Sequence, residues 1–260
     1  MRYYVVDAFA DNVFEGNPAG VCPLDAWLPD ELMQKIAFEN NLSETAFVVP
    51  EDAGFGLRWF TPATEVDLCG HATLTTAFVI SRFVRPGVKT VSFMTRSGAL
   101  KVACLDNGLY ELDFPALDWR PAALPAGLAE ALGDIRPLEV LASRDIVLVL
   151  ENAAQVRAVE PDFAALCKIE TPHGFLVTAA GDEYDFVSRA FFPKMGINED
   201  PVCGSAHCML TPFWARRLGK NELTARQVSK RGGTLYCKVA GDRVKIAGRA
   251  ALYLAGEIHP

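Results

Sequence analysis

Two stretches of this sequence repeat one another. The first is RWFTPATEVDLCGHA at residues 58–72, and the second is RAFFPKMGINEDPVCGSA at residues 189–206. Each contains an arginine, an aromatic residue and a proline, followed by an acidic residue and a Cys-Gly pair. Self-similarity of this kind is typical of architectures built from a repeated unit. The sequence therefore predicts an internal duplication that produces two similar lobes.

The repeat extends beyond the two stretches in both directions. Phe47 matches Phe175 upstream, and Arg96 matches Arg231 downstream. The offset between matched residues rises from 128 at the phenylalanines, through 131 at the first arginines and 134 at the cysteines, to 135 at the last arginines. A steady drift is what small loop insertions produce, so we expect the first lobe to take residues 1–118 and the second to take 119–260. This division allows the C-terminal strand to pack in the first lobe.

Each half combines short strands with one apolar helix. Short segments separated by Gly, Pro and Asp turns predict the strands. After each Cys-Gly pair the chain is apolar on nearly every face, at residues 71–83 and 205–218, and a helix of that kind is buried. The expected fold class is α+β, with two pseudo-symmetric lobes that each wrap a curved, mostly antiparallel sheet around a central buried helix. Pro212 is expected to bend the second helix or cost it a hydrogen bond.

Composition and charge exclude several classes of function. The chain has 260 residues, 50% of them hydrophobic, which is typical of a globular protein. Its net charge is −7, and it lacks the clustered Lys and Arg residues of proteins that bind nucleic acid. No apolar run reaches the roughly 18 residues of a membrane span. The N-terminus lacks a signal peptide, so a cytoplasmic location is expected. Seven cysteines without an export signal are predicted to be free thiols.

The two Cys-Gly pairs lie at positions that favour catalytic or ligand-binding residues. Cys69 and Cys203 each precede a buried helix, where free N–H groups and the helix dipole lower a thiol pKa and attract a carboxylate. We expect both cysteines to flank one cleft between the lobes. The alternative is that both are ordinary buried apolar cysteines.

Glu44 lies where a polar loop meets an apolar strand. Desolvation there raises a carboxyl pKa into the range of a general acid/base. The alternative is a solvated loop charge.

A metal site is a further alternative, because Cys69, His71, Cys203 and His207 carry suitable ligand atoms. Their spacings match no common zinc pattern, and Gly54-Phe55-Gly56 lacks the context of a dinucleotide fingerprint. We therefore predict no metal and no cofactor.

Several strings together resemble the PhzF-like isomerase family of phenazine biosynthesis. They are DAF at 7–9, FEGNP at 14–18, NLSET at 41–45, FTP at 60–62, CGH at 69–71, DPVCGSA at 200–206 and RGG at 231–233. They follow the family's order and cover most of the chain. The resemblance implies the diaminopimelate-epimerase fold, which agrees with the predicted duplication, and by analogy with relatives it implies a homodimer.

The resemblance also implies residue roles. Glu44 would shuttle a proton between carbons of a small carboxylate-bearing substrate. The substrate would be held by Asn17, Gly70, His71, Asp200, Gly204 and Ser205: His71 and Asp200 hydrogen-bond it, the two glycines and Ser205 offer donors to its carboxylate, and Asn17 shapes the cleft.

One departure from the family leaves the mechanism open. In phenazine-producing members the positions of Cys69 and Cys203 are not cysteines, whereas in the similar proline racemases and diaminopimelate epimerases a cysteine pair provides both bases. The leading hypothesis is a cofactor-independent proton-transfer isomerase with Glu44 as acid/base. The alternatives are a two-thiol amino- or hydroxy-acid racemase or epimerase and, from another class, a non-catalytic binding or scaffold protein on the same fold.

Overall fold

The computed structural model describes residues 1–170 and 173–260, and they divide into two compact units. Unit 1 consists of Met1–Asp113 together with Ala247–Pro260, and unit 2 consists of Phe114–Ile246. The chain therefore leaves unit 1 once and returns to it for its last strand.

Strands dominate both units. In chain order they are β1 (Arg2–Ala8), β2 (Asn17–Pro23), β3 (Glu44–Glu51), β4 (Gly54–Phe60), β5 (Glu65–Val66), β6 (Thr90–Thr95), β7 (Gly98–Cys104), β8 (Tyr110–Pro115), β9 (Arg120–Pro121), β10 (Glu139–Ala142), β11 (Ile146–Val149), β12 (Phe175–Ala180), β13 (Phe186–Phe192), β14 (Ile197–Asp200), β15 (Glu222–Gln227), β16 (Gly233–Ala240), β17 (Arg243–Gly248) and β18 (Ala250–Glu257). The helices are α1 (Asp30–Asn40), α2 (Gly70–Val79), α3 (Leu128–Ala131), α4 (Ala153–Arg157), α5 (Phe163–Leu166) and α6 (Gly204–Leu218). None of the helices in the described residues is long and apolar enough to cross a bilayer.

The same order of strand pairs occurs in both units. In unit 1, β1 pairs antiparallel with β18 and β2, β2 runs parallel to β3, β3 antiparallel to β4, β4 parallel to β6, and β6 antiparallel to β7. In unit 2, β10 pairs antiparallel with β9 and β11, β11 runs parallel to β12, β12 antiparallel to β13, β13 parallel to β15, and β15 antiparallel to β16. The predicted α+β class with mostly antiparallel strands is confirmed.

The register of one predicted match is wrong by two residues. Phe47 lies opposite Arg58 on the neighbouring strand, whereas the residue opposite Arg189 is Val177, not Phe175. A shift of two residues keeps the side chain on the same face of a strand, because side chains alternate with a period of two. Hydrophobic pattern alone therefore could not distinguish the two alignments.

The matched arginines form the same contact in both units. Arg58 on β4 binds Glu65 on β5 through two hydrogen bonds of 2.7 Å. Arg189 on β13 binds Glu199 on β14 through bonds of 2.7 and 3.0 Å. Each guanidinium also lies over an aromatic ring of its own strand, 5.2 Å from the centroid of Phe60 and 5.1 Å from that of Phe191. The repeated Arg-x-aromatic pattern is explained by this paired, stacked guanidinium.

We expect Arg189→Met to lower the free energy of unfolding by about 2 kcal/mol, because it leaves Glu199 and the buried carbonyl of Val159 without their donors. The matched control is Arg157→Met, which removes only an exposed 3.3 Å contact with Asp182 and should cost less than about 1 kcal/mol. Urea unfolding of the two variants measures both values. Equal losses would contradict a structural role for the Arg189 contact.

A buried helix lies in each unit, as the sequence predicts. All of α2 after Gly70 is buried, and it packs against β1, β2, β3 and β7. Its α-helical part ends at Val79, earlier than expected, and a wider π-helical turn follows, in which the Arg85 N–H donates to the Ile80 carbonyl at 2.7 Å.

Pro212 lies inside α6, as expected from the sequence. Proline cannot donate to the carbonyl four residues earlier, and that carbonyl, of Cys208, instead accepts the N–H of Leu117 at 3.0 Å. The hydrogen bond lost in the helix is therefore replaced from a neighbouring segment of unit 2.

Candidate active site

The loop after α1 places Glu44 at the start of β3. Asn41 ends the helix in the left-handed conformation, with φ 48°, and its N–H donates to the Ala37 carbonyl at 3.2 Å. Asparagine is one of the few residues other than glycine that tolerate this conformation. The amide of Asn40 then donates to the Thr45 hydroxyl at 3.1 Å, which ties the loop to the strand. Asn40 and the NLSET string that follows it thus fix both the turn and the position of the glutamate.

The N-terminus of α2 places Cys69 and His71. Cys69 is the extended N-cap residue, and its carbonyl accepts the N–H and the hydroxyl of Thr73 at 3.1 and 2.6 Å. Gly70 begins the helix, and His71 follows one residue later. This local geometry directs the side chains flanking Gly70 toward one another.

Glu44, Cys69 and His71 form one compact cluster. His71 Nε2 lies 3.0 Å from Glu44 Oε2, and Cys69 Sγ lies 3.5 Å from His71 Nδ1. One ligand atom from each of the three residues lies within 4.8 Å of the other two. The carboxylate and imidazole side chains are 11% and 10% exposed, so the cluster is almost buried but reaches the surface. Glu44 Oε2 has this ionic contact but no well-aligned hydrogen bond among the described residues.

The cluster carries an ion pair beside a neutral thiol. Burial raises the pKa of Glu44, but the His71 charge and the polar contacts with His71 and Cys69 outweigh it, so this pKa lies below its usual value. Burial lowers the pKa of His71, but the Cys69 sulfur and the Glu44 carboxylate raise it well above its usual value. Burial and the Glu44 carboxylate raise the pKa of Cys69. These directions favour a carboxylate at Glu44 and a neutral thiol at Cys69, and the Glu44 carboxylate beside His71 favours the imidazolium form of the ring.

Both pKa directions expected from the sequence are wrong at these residues. Desolvation of Glu44 does not dominate, because an imidazolium lies beside it. The helix N-terminus does not lower the pKa of Cys69, because burial of the sulfur has the larger effect. The position of His71 beside Glu44 and the burial of the Cys69 sulfur both depend on the fold, so the local sequence around each residue does not show them.

Asn17 is buried at the start of β2. Because β2 runs parallel to β3, Ala19 lies opposite Glu44, and Asn17 is therefore only two residues from the glutamate's partner. The structure brings this predicted site residue into the Glu44 region of unit 1.

In unit 2, the start of α6 gathers the other predicted residues. Cys203 is the N-cap, Gly204 is the first helical residue, and the Cys203 sulfur lies 3.4 Å from the Ser205 hydroxyl. Asp200 precedes this turn, and its carboxylate accepts the N–H of Val202 at 3.0 Å. Burial and the Asp200 charge raise the pKa of Cys203 well above its usual value, so the expected lowering is wrong here as well.

Sequence reasoning missed the residue that holds this turn in place. Gln227 on β15 accepts the Cys203 N–H at 2.9 Å and donates to the Asp200 carbonyl at 2.5 Å. A buried glutamine at the end of an alternating strand was the one available signal.

A charged chain of contacts also reaches Ser205. The Arg144 guanidinium donates to the Ser205 hydroxyl at 3.2 Å and to the Asp145 carboxylate at 2.8 Å. His173 Nδ1 lies 2.6 Å from the other Asp145 oxygen. Arg144 is 61 residues from Ser205 in the chain, so spacing could not reveal this contact.

His207 supports the same turn from inside unit 2. Its Nδ1–H donates to the Cys203 carbonyl at 2.8 Å, and the ring is fully buried beside Phe186. Burial lowers its pKa to about 4, so the imidazole is neutral at pH 7.

Comparisons with known proteins find relatives that match along nearly the whole chain. The family model PhzC-PhzF, described as phenazine biosynthesis-like protein, matches residues 6–256. An uncharacterised isomerase of Pseudomonas aeruginosa is 53% identical over 259 residues, covering 100% of this chain and 99% of the relative.

Solved structures show the same similarity. A PhzF-family phenazine biosynthesis protein of Enterococcus faecalis matches with a TM-score of 0.97 and 49% identity, covering 100% of this chain and 99% of that one. A hydroxyproline epimerase of Agrobacterium vitis, with bound trans-4-hydroxy-L-proline, matches with a TM-score of 0.61 and 13% identity, covering 98% and 91%. The second match shows a shared fold alone.

Proposed function

Because the chain belongs to the PhzC-PhzF family of phenazine biosynthesis-like proteins and is an isomerase, we propose that it moves a proton within a small carboxylate substrate, without a cofactor and with Glu44 as the general acid/base. The observation that carries the proposal is the 3.0 Å contact between the Glu44 carboxylate and His71 Nε2 in an almost buried cluster. A general base must be ionised at the start of the reaction, and the lowered pKa of Glu44 supplies that form.

The cluster offers each part that a proton shift needs. The Glu44 carboxylate removes a proton from one substrate carbon, the resulting carboxyl can exchange with solvent because about a tenth of its surface is exposed, and it then delivers a proton to another carbon of the same molecule. As the proton leaves, negative charge grows on the substrate, and the His71 imidazolium and the first N–H groups of α2 stabilise it. Gly70, without a side chain, lets the substrate approach that backbone.

The roles predicted for unit 2 remain part of the proposal. Gly204 and Ser205 would offer donors to the substrate carboxylate at the start of α6, and Asp200 would hydrogen-bond the substrate. Support comes from the hydrogen bonds of Gln227, which fix the backbone of the preceding turn. Substrate binding by Asn17, the homodimer and the cytoplasmic location also stay predictions.

A two-thiol racemase is the second candidate, and one contact favours it. Cys69 Sγ lies 3.5 Å from His71 Nδ1, and an imidazolium stabilises a thiolate. Against it, burial and a neighbouring carboxylate raise the pKa of both Cys69 and Cys203. A racemase needs one thiolate and one thiol at the start of each turnover, so Glu44 is the better-prepared base.

We also propose that the two units descend from one duplicated sequence. The repeated order of strand pairs and the matching contacts of Arg58 with Glu65 and Arg189 with Glu199 support this origin. Glu44 itself is not repeated: in the register set by the two arginines, Phe47 corresponds to Val177, and Glu44 then corresponds to Gly174.

A heavy-water screen tests the proposed function. The protein is incubated in D₂O with pools of amino acids, hydroxy acids and other small carboxylic acids, and each pool is analysed by mass spectrometry and NMR. We expect at least one acid to gain carbon-bound deuterium with the wild-type protein and none to gain it with Glu44→Gln. Carbon deuteration that persists in Glu44→Gln, or its absence from every pool with the folded wild-type protein, would count against the proposal.

A further inference from the structure

We propose that Glu44, Cys69 and His71 form a binding site for a thiophilic divalent cation, with Zn²⁺ as the best fit, and that the bound cation inhibits the protein. Binding of the cation follows from the geometry of the cluster alone. Only the inhibition rests on the proposed function, because it requires Glu44 to act as the base.

The distances are close to those of a zinc site. Tetrahedral zinc with Zn–S near 2.3 Å and Zn–N or Zn–O near 2.0–2.1 Å holds neighbouring ligand atoms about 3.3–3.6 Å apart. His71 Nε2 lies 3.0 Å from Glu44 Oε2 and 4.0 Å from Cys69 Sγ, and one ligand atom from each of the three residues lies within 4.8 Å of the other two. Side-chain shifts of up to about 1 Å would bring them to the ideal spacing.

The ligand chemistry selects the metal class. One thiolate sulfur, one imidazole nitrogen and one carboxylate oxygen suit Zn²⁺, whereas Mg²⁺ and Ca²⁺ prefer oxygen ligands only. Three protein ligands leave the fourth zinc position open to water or to a substrate carboxylate. Because zinc binds a thiolate and a neutral imidazole, the Cys69 thiol and the His71 imidazolium each release a proton to solvent when the cation binds.

Two further observations indicate that the cluster can accept a ligand. Glu44 is 8% exposed as a residue, and its Oε2 atom has no well-aligned hydrogen bond among the described residues. The Glu44 and His71 side chains nevertheless keep about a tenth of their surface exposed, which gives a small ion a route of entry. The site therefore combines a buried acceptor with access from solvent.

The sequence could not reveal this ligand set. A Cys-x-His pair matches no common zinc pattern, and the third ligand lies 25 residues before Cys69 on a different element. The sequence-based expectation of no metal considered Cys203 and His207 as the remaining ligands. In unit 1 it is Glu44 that completes the set with Cys69 and His71.

A bound cation would remove both groups that the reaction uses. Zinc would hold the Glu44 carboxylate and occupy the His71 lone pair, so neither a free base nor an imidazolium would remain. Inhibition by Zn²⁺ that EDTA reverses is the expected consequence.

Equilibrium dialysis of the full chain with Zn²⁺, and optical titration with Co²⁺, test the site. We expect one Zn²⁺ per chain, and a Co²⁺ complex with the near-ultraviolet thiolate-to-metal charge-transfer band. Cys69→Ser should weaken Zn²⁺ binding at least about 100-fold and abolish that band, because loss of even an outer-shell partner costs 10- to 100-fold. The matched control is Cys104→Ala/Cys167→Ala, which removes the two more exposed thiols and should change neither result.

A second variant keeps the test decisive if Cys69→Ser unfolds. Glu44→Gln preserves size and should weaken Zn²⁺ binding at least about 10-fold. Zn²⁺ binding that survives in Cys69→Ser and Glu44→Gln, or disappears in the Cys104/Cys167 control, would overturn the proposed site. Absence of saturable binding at micromolar free Zn²⁺ would also overturn it. Because dialysis measures no turnover, failure of the metal site leaves the test of Glu44 as a base unaffected.

Discussion

Glu44→Gln is expected to lower turnover by roughly 10²-fold or more, with whichever substrate the heavy-water screen identifies. Glutamine keeps the size of the side chain and can still contact His71 Nε2, which lies 3.0 Å from the carboxylate. It cannot accept or return a proton in the reaction. The loss should appear in kcat, because the carboxylate acts on the reacting carbon rather than in ground-state binding.

Three control variants separate this result from a general disturbance. Glu39→Gln changes an exposed glutamate in the same unit and should retain full activity. Cys69→Ala and Cys203→Ala should cost far less than Glu44→Gln. Under the two-thiol mechanism the order is reversed: either cysteine change abolishes activity, and alkylating reagents inactivate the protein unless substrate protects it. Full activity in Glu44→Gln would disprove the assignment.

The second large effect is on stability in acid. The buried imidazole of His207 has a pKa of about 4, below its usual value of 6.5. Above pH 6.5 the ring is neutral in both the folded and unfolded chain and contributes no pH dependence. Between pH 6.5 and 4 only the unfolded chain takes up the proton, so stability falls with pH. The shift corresponds to about 3 kcal/mol lost across that window.

The His207→Asn variant isolates this contribution. Asparagine can still donate to the Cys203 carbonyl, which now accepts from His207 Nδ1 at 2.8 Å, but it does not titrate. Urea unfolding from pH 7 to pH 4 should show the wild-type protein losing about 3 kcal/mol more than the variant. His259→Asn, at an exposed histidine, should follow the wild-type curve. Parallel curves for wild type and His207→Asn would contradict a buried neutral imidazole.

Structural elements were predictable from the sequence where they depend on residues close together in the chain. Runs that are apolar on every face predicted the buried helices α2 and α6, and NLSET predicted a glutamate where a loop meets a strand. The repeated Cys-Gly pairs marked both helix starts. The alignment of Phe47 with Phe175 failed by two residues, because a pattern with a period of two does not fix register.

The electrostatics could not be predicted, because they depend on neighbours distant in the chain. His71 reverses the pKa shift expected for Glu44, and burial reverses the one expected for Cys69. Arg144 and Gln227 reach the start of α6 from 61 residues before Ser205 and 24 residues after Cys203. Contacts of this kind leave no periodic signal in the sequence, so they become visible only when the fold brings the residues together.

We propose that Glu44 itself carries the proton. The most direct measurement is the rate at which solvent deuterium enters a substrate carbon in D₂O, followed by mass spectrometry for wild type, Glu44→Gln, Cys69→Ala and Cys203→Ala. We expect incorporation near the wild-type rate in both cysteine variants and a decrease of roughly 10²-fold or more in Glu44→Gln. Incorporation at the wild-type rate in Glu44→Gln, together with its loss in either cysteine variant, would contradict the account and assign the proton transfer to the thiols.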